Sequence, residues 1–269
     1  MEKRQNGKIR LLSVIIPAYK QQATIEMDLK RILTVLAQLR YDYEVIVVVD
    51  GKLDNTEKNA KKVISSKLKI IGYEQNHGKG HAVRFGMSRA KGDVVAFIDA
   101  GMDLNPNGLS MLLEHFEWYN ADIIVGSKLH PASKVDYPWQ RKILSKGYRL
   151  LVRLLFGLNI KDTQVGLKVF RKKVLEDVLP RLLVKRHAFD IEILAVAYHL
   201  GYKRIYEAPV ELEFKMGNIG TKLFQKTVFD MLQDTLAVYY RLKILHYYDD
   251  ANKRKWVYDP DLNFRVNLP

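Results

Sequence analysis

"GKGHAVRFGMSRAKGDVVAFIDAGMD", residues 78–103, decides the fold class. Residues 78–90 read as a helix opened by a lysine between two glycines, and 93–100 as a continuously apolar strand. The strand runs into Asp99 and Asp103 with Gly101 between them. One reading of this end is a turn, since Asp, Gly, Asn and Pro all favour turns. The other is a cation site: two neighbouring carboxylates repel unless a positive charge lies between them. Mg²⁺ or Mn²⁺ is commonly held by one or two carboxylates plus substrate phosphates. Gly101 would leave room for a diphosphate, and a lysine amid glycines at a helix start is a good phosphate contact. Lys79 also reads as a solvated side chain.

Outward from this stretch the pattern repeats. Strands are read at 11–17, 43–50, 68–74, 93–100 and 121–127, and helices at 23–39, 55–66, 78–90 and 107–119. Continuous apolar strands alternating with amphipathic helices predict an α/β fold with a mostly parallel, Rossmann-like sheet covered by helices on both faces. Such sheets bind ligands at the carboxyl ends of their strands, where Pro17, Asp50, Glu74 and Asp99 fall. Asp54, in "DNTE", reads better as a helix cap than as a ligand.

Further on, residues 139–160 and 222–248 read as amphipathic helices, 189–201 as a third helix, and 204–214 as a strand. No regular structure is expected from Asp249 onward. The organisation expected is a catalytic domain over 8–215, followed over 216–269 by a flexible loop, an amphipathic helix and a polar tail.

The chain has 269 residues and no cysteine, which excludes a disulfide framework, thiolate chemistry and Cys-ligated zinc. The seven histidines show no metal-ligand spacing. No apolar run approaches the ~18 residues of a membrane span, and no signal peptide fits the charged N-terminus. A net charge of +14 calls for an anionic partner. Nucleic acid is not expected, because the basic residues interleave with aliphatic ones and no recognition motif is found.

Several stretches in order resemble family 2 glycosyltransferases: "VIIPAYKQQATI" (14–25), "VVVDGKLDNT" (47–56), "NHGKGHAVRFGMSRAKGDVVAFIDA" (76–100), "GSK" (126–128), "DTQVGLKVF" (162–170) and "FDIEIL" (189–194). The last three resemble the polyprenyl-phosphate branch, typified by dolichyl-phosphate mannose synthase. The resemblance implies a GT-A fold, a nucleotide-diphosphate sugar donor such as GDP-mannose or UDP-glucose, and Mg²⁺ or Mn²⁺. It places Pro17, Tyr19 and Asp50 at the nucleotide, Lys79 at the donor, and Asp99 at the first position of the Asp-x-Asp motif. Asp99 and Asp103 become the candidate metal ligands. Departures are Val49 and Gly101 in place of family aspartates, Lys20-Gln21 in place of Asn-Glu, and Lys128 where arginine is usual.

The resemblance places Lys128, Arg141, Ser145, Gln164, Lys168 and Lys222 around an acceptor phosphate, with Asp162 in the same loop. Arg141 and Ser145 are four residues apart, on one helix face. Asp190 falls where relatives with hydroxyl acceptors keep a general base; with a phosphate acceptor it would orient substrate. The expected activity is inverting transfer of a hexose, mannose or glucose, to a polyprenyl phosphate. The alternatives are a glycan hydroxyl acceptor, or a sugar-nucleotide-binding protein without turnover. Basic and bulky apolar side chains mix over 139–158, which suits the plane of a membrane interface. The expected location is the cytoplasmic face of a membrane, peripherally, or with an anchoring partner or a second copy.

Overall fold

The computed structural model describes residues 9–101, 104–133, 139–186, 188–212, 221–251 and 256–267, the side chains of 139–144, 221–228 and 267 excepted. The elements run β1 (Leu11–Ala18), α1 (Ile25–Leu36), β2 (Asp42–Asp50), α2 (Thr56–Ala60), β3 (Leu68–Tyr73), α3 (Lys79–Met87), β4 (Val94–Ile98), α4 (Gly108–Trp118) and β5 (Ile123–Ser127). They continue through α5 (Trp139–Phe156), β6 (Leu167–Arg171), α6 (Lys172–Val178), α7 (Phe189–His199), β7 (Ile205–Pro209), α8 (Thr221–Tyr239), β8 (Trp256–Asp259) and β9 (Phe264–Asn267).

Seven strands form one sheet in the order β3-β2-β1-β4-β6-β5-β7. β6 is antiparallel to both of its neighbours, and every other pairing is parallel. Side chains alternate between two cores. Ile15, Ile46, Val48, Val95 and Phe97 face one, and Val14, Ile16, Val45, Val47 and Ala96 the other. Continuous apolar strands follow from this, because each face of a parallel sheet needs its own apolar set.

The reversed β6 has a consequence for function. It begins where β4 and β5 end, with Leu167 opposite Ile98. The loop 162–166 therefore meets Asp99 and Ser127 at one edge of the sheet. Asp54 is a local cap, its Oδ1 accepting the Thr56 N–H at 2.9 Å.

The C-terminal segment differs from expectation. Residues 256–267 form an antiparallel hairpin, Trp256 opposite Asn267, instead of an irregular tail. Tyr247, Tyr248, Leu262 and Val266 are buried in the same core as Phe97 and Phe170. Arg181 ties the segment down by donating from Nε to the Tyr248 carbonyl at 2.9 Å. The polar composition of the tail concealed two core residues, Leu262 and Val266. α5 stops at Phe156, and α8 passes into a π-helical turn over Tyr240–Ile244.

Candidate active site

Asp99 follows the last residue of β4, and the start of β6 holds it in place. Its N–H donates to the Gly166 carbonyl at 2.8 Å. Its Oδ2 accepts from Lys79 Nζ at 2.8 Å, while Oδ1 is buried with no hydrogen-bond partner. A buried carboxylate oxygen without a donor is rare in a native interior, and it suits a cation. Among the described residues no group of three or more His, Asp or Glu side chains is placed to hold a metal; Asp103 lies outside them. Gly101 has φ +97°, a conformation an aspartate adopts only with strain, which accounts for glycine at the motif's second position.

Lys79 is the first residue of α3 and lies between Asp99 and Asp190, whose Oδ2 is 3.5 Å from Nζ. Burial works against the Lys79 charge, but Asp190 and Asp99 outweigh it and hold its pKa above the usual lysine value. Burial also works against the Asp190 carboxylate. Lys168 and Lys79 outweigh it and keep Asp190 below the usual carboxylate range.

Lys168 corrects an expectation. The resemblance places it at the acceptor phosphate, yet its side chain is 0% exposed. Its ammonium donates to Asp190 Oδ1 at 2.5 Å and to the Val165 carbonyl at 2.6 Å. Its register explains this: Lys168 pairs with Phe97 of β4, so it points into that residue's core, behind Asp190. Burial pushes its ammonium pKa down, against the pull of Asp190. The four side chains form an alternating row, Asp99–Lys79–Asp190–Lys168, with two charges of each sign.

Asp50 closes β2 but faces inward. It is 2% exposed and accepts from Tyr73 Oη (2.9 Å), Asn76 Nδ2 (2.8 Å), His77 N (2.8 Å) and Gly78 N (3.0 Å). Its carboxylate organises the loop that leads to Lys79. Pro17 lies in β1 opposite Val48, and Tyr19 is exposed just beyond the strand with Lys20 Nζ 5.3 Å from its ring centroid.

At the other side of the edge, Asp162 accepts the Lys128 N–H at 3.2 Å and the Gln164 N–H at 3.3 Å, with Lys128 Nζ 3.8 Å away. Ser127 Oγ, Thr163 Oγ1 and Gln164 Nε2 are buried without hydrogen-bond partners. Unpaired polar groups gathered at one strand edge mark a place for a polar ligand. Ser145 is half-buried on α5. The side chains of Arg141 and Lys222 lie outside the described residues.

Two contributors escaped the sequence reading. Glu207 of β7 accepts the Lys161 and Asp162 N–H groups at 2.9 and 3.1 Å and so shapes the loop. A Cβ on Gly166 would lie 1.9 Å from Asp99 Oδ2. The glycine before the "LKVF" strand is the only local signal of that contact.

The model of the family described as "Glycosyl transferase family 2" matches residues 13–179. The chain belongs to that family. Among relatives of this family 2 chain, the dolichyl-phosphate beta-glucosyltransferase of Drosophila melanogaster is 36% identical over 205 residues, 70% of this chain and 63% of the relative. The protein of the same name from Dictyostelium discoideum is 31% identical over 204 residues, 70% of this chain and 62% of the relative. The dolichol-phosphate mannosyltransferase of Pyrococcus furiosus is 31% identical over 228 residues, 82% and 62% of the two chains. This chain thus spans less than two thirds of each of these relatives. Glucosyl-3-phosphoglycerate synthase from Mycobacterium tuberculosis, crystallised with Mn²⁺, UDP and phosphoglyceric acid, has the same fold. Its TM-score is 0.64 at 20% identity, over 97% of this chain and 87% of that one. The GT-A architecture expected from the sequence is the one observed.

Proposed function

We propose that this family 2 chain transfers a hexose from a nucleotide-diphosphate sugar to a polyprenyl phosphate, with inversion at the anomeric carbon. The observation that carries the reading is the position of Lys79: at a helix start, between two glycines, ion-paired to both Asp99 and Asp190. A cation held there is ready to meet a diphosphate. The names of the relatives supply the acceptor class.

Asp99 Oδ1, buried and unpartnered, fits a divalent ion; Mg²⁺ or Mn²⁺ bound there would neutralise charge on the departing nucleoside diphosphate. The protein's own groups then have limited work. Lys79 balances diphosphate charge. Asp190, ionised between two lysines, orients Lys79. Lys128 and the loop 162–164 line the acceptor side, and Pro17 and Tyr19 the nucleotide side. The acceptor phosphate oxygen is already ionised near neutral pH, so it attacks the anomeric carbon as the carbon–oxygen bond to the diphosphate breaks, and no proton need be removed. A hydroxyl acceptor would need a free base. Asp190 is poorly suited to that task, because protonating it would leave Lys168 buried without its counterion.

A lipid acceptor also suits the outer surface of the helices. Leu154 on α5 is 74% exposed beside Arg153, and Phe229 on α8 is 67% exposed. α5 and α8 are neighbours through Tyr148 and Thr235, whose hydroxyls are 3.0 Å apart. On α5 the exposed Leu154 lies among basic side chains, a mixture that favours an anionic membrane interface. Among the described residues no helix is long and apolar enough to cross a membrane.

The test is transfer from radiolabelled GDP-mannose or UDP-glucose to a short polyprenyl phosphate, with Mn²⁺ or with EDTA. Metal-dependent label in the lipid phase supports the reading and identifies the sugar. Donor binding without transfer to any lipid phosphate overturns it.

A further inference from the structure

A second buried carboxylate lies near the first and takes no part in the chemistry above. Glu192 is 0% exposed and two residues along α7 from Asp190. Two residues on a helix are roughly 200° apart, so Glu192 faces away from the lysine pair. Its carboxylate accepts the Leu183 N–H at 3.1 Å and the Val184 N–H at 2.9 Å. Tyr248 of the C-terminal segment donates its hydroxyl to Oε1 at 2.7 Å, and that hydroxyl accepts from Arg241 Nε at 3.1 Å.

The segment that Glu192 holds is the one on which the Lys79 turn rests. The Lys185 carbonyl accepts the His81 N–H at 3.2 Å. A Cβ on Gly78, whose φ is +98°, would lie 2.6 Å from the Lys185 carbonyl oxygen. One on Gly80 would lie 2.5 Å from Phe189 Cβ and 3.0 Å from the Lys185 carbonyl carbon. Both glycines beside Lys79 are therefore pressed against Lys185, Arg186 and Phe189, without room for a methyl group between them. The contacts form one unbroken physical chain: Tyr248, Glu192, the 183–185 backbone, the Gly78-Lys79-Gly80 turn, and Asp99.

We propose that Glu192, locked by Tyr248, is a positioning residue for the donor site: it holds residues 183–185 against the glycine turn and so fixes where the Lys79 ammonium stands. The role at a donor diphosphate rests on the proposed function; the brace itself does not. A buried carboxylate is a costly way to hold a loop if packing alone is needed, since apolar side chains of similar volume serve stability as well or better. What it adds is direction, because two backbone N–H groups are aimed at one fixed point.

The test uses Tyr248→Phe, which removes one hydroxyl, and Glu192→Gln, in the full chain. Hydrogen exchange is followed at residues 76–82 and 183–186, and donor and acceptor kinetics are measured. In Tyr248→Phe, exchange should quicken in both stretches. Donor KM should rise about three- to tenfold, within the range found for coupling residues outside a site, with acceptor KM and kcat at saturating donor within about twofold. Because the hydroxyl acts through Glu192, adding Tyr248→Phe to Glu192→Gln should change nothing further. Quickened exchange confined to 183–186, or equal rises in donor and acceptor KM, would overturn the proposal. If Glu192→Gln does not fold, Tyr248→Phe alone decides. If the wild-type chain transfers no sugar, the proposed function fails separately, and exchange at 76–82 still decides whether the brace exists.

Discussion

Gly166 stands directly behind Asp99: its carbonyl accepts the Asp99 N–H at 2.8 Å, and a Cβ added to it would lie 1.9 Å from Asp99 Oδ2. The carboxylate occupies the space that any other residue at 166 would fill.

Gly166→Ala should therefore displace Asp99 while the sheet still forms. Turnover should fall about 100-fold, the scale expected of a displacement near 1 Å at a reacting centre. The melting temperature should drop only by a few degrees. Wild-type turnover in a folded Gly166→Ala protein would remove Asp99 from the chemistry.

Asp99→Ala should abolish transfer, by a factor of at least about 100, with the fold intact by circular dichroism. Calorimetric titration with Mn²⁺ should lose its heat in the same variant. Asp103→Ala should raise the metal concentration needed for half-maximal activity, and an unchanged metal dependence would deny Asp103 a ligand role.

Lys168→Met should act on stability before it acts on the acceptor. It leaves Asp190 with Lys79 as its one remaining cation in the row, and breaking a buried pair costs about 3–5 kcal/mol, readable as a lower denaturant midpoint. The Lys168→Met/Asp190→Asn pair should recover part of that loss. A raised acceptor KM at wild-type stability would instead return Lys168 to the acceptor phosphate.

The Asp190 pair also sets an acid limit. Its folded pKa is held down by Lys168 and Lys79 against burial. The ionised carboxylate thus contributes stability above its unfolded value of about 4, and this is lost as pH falls through the lower folded value. Urea unfolding from pH 7 down to about 2 should show a steep loss below about pH 4. In Asp190→Asn the curve should begin lower and fall less steeply. Parallel curves for the two proteins would show that Asp190 is not the titrating group.

Much of the architecture is legible in the sequence. Apolar runs such as "VIVVV" had to be strands buried on both faces, and the helical spacing between them left a parallel sheet as the simplest arrangement. Asp99 and Lys79 were legible too, because a strand end and a glycine-flanked helix start are local features. Lys168 was not. The motif placed it near the site, but only its register against Phe97 buries it behind Asp190. The C-terminal hairpin was missed because its core residues are spaced singly among polar ones.

Motif resemblance pointed to the family and singled out Asp190. The sequence by itself determined the alternation of strands and helices over residues 11–127, with Asp99 at a strand end and Lys79 at a helix start. These follow from periodicity and turn chemistry, which act within a few residues of one another. Tertiary structure alone decided which charges meet. The reversed β6 brings Gly166 to Asp99 and Lys168 to Asp190, and the C-terminal chain brings Tyr248 to Glu192 across 56 positions. Such contacts depend on strand direction and on closing a long loop. Both are set by the packing of the whole sheet, and apart from the glycine at 166 they leave no local trace in the residues that meet.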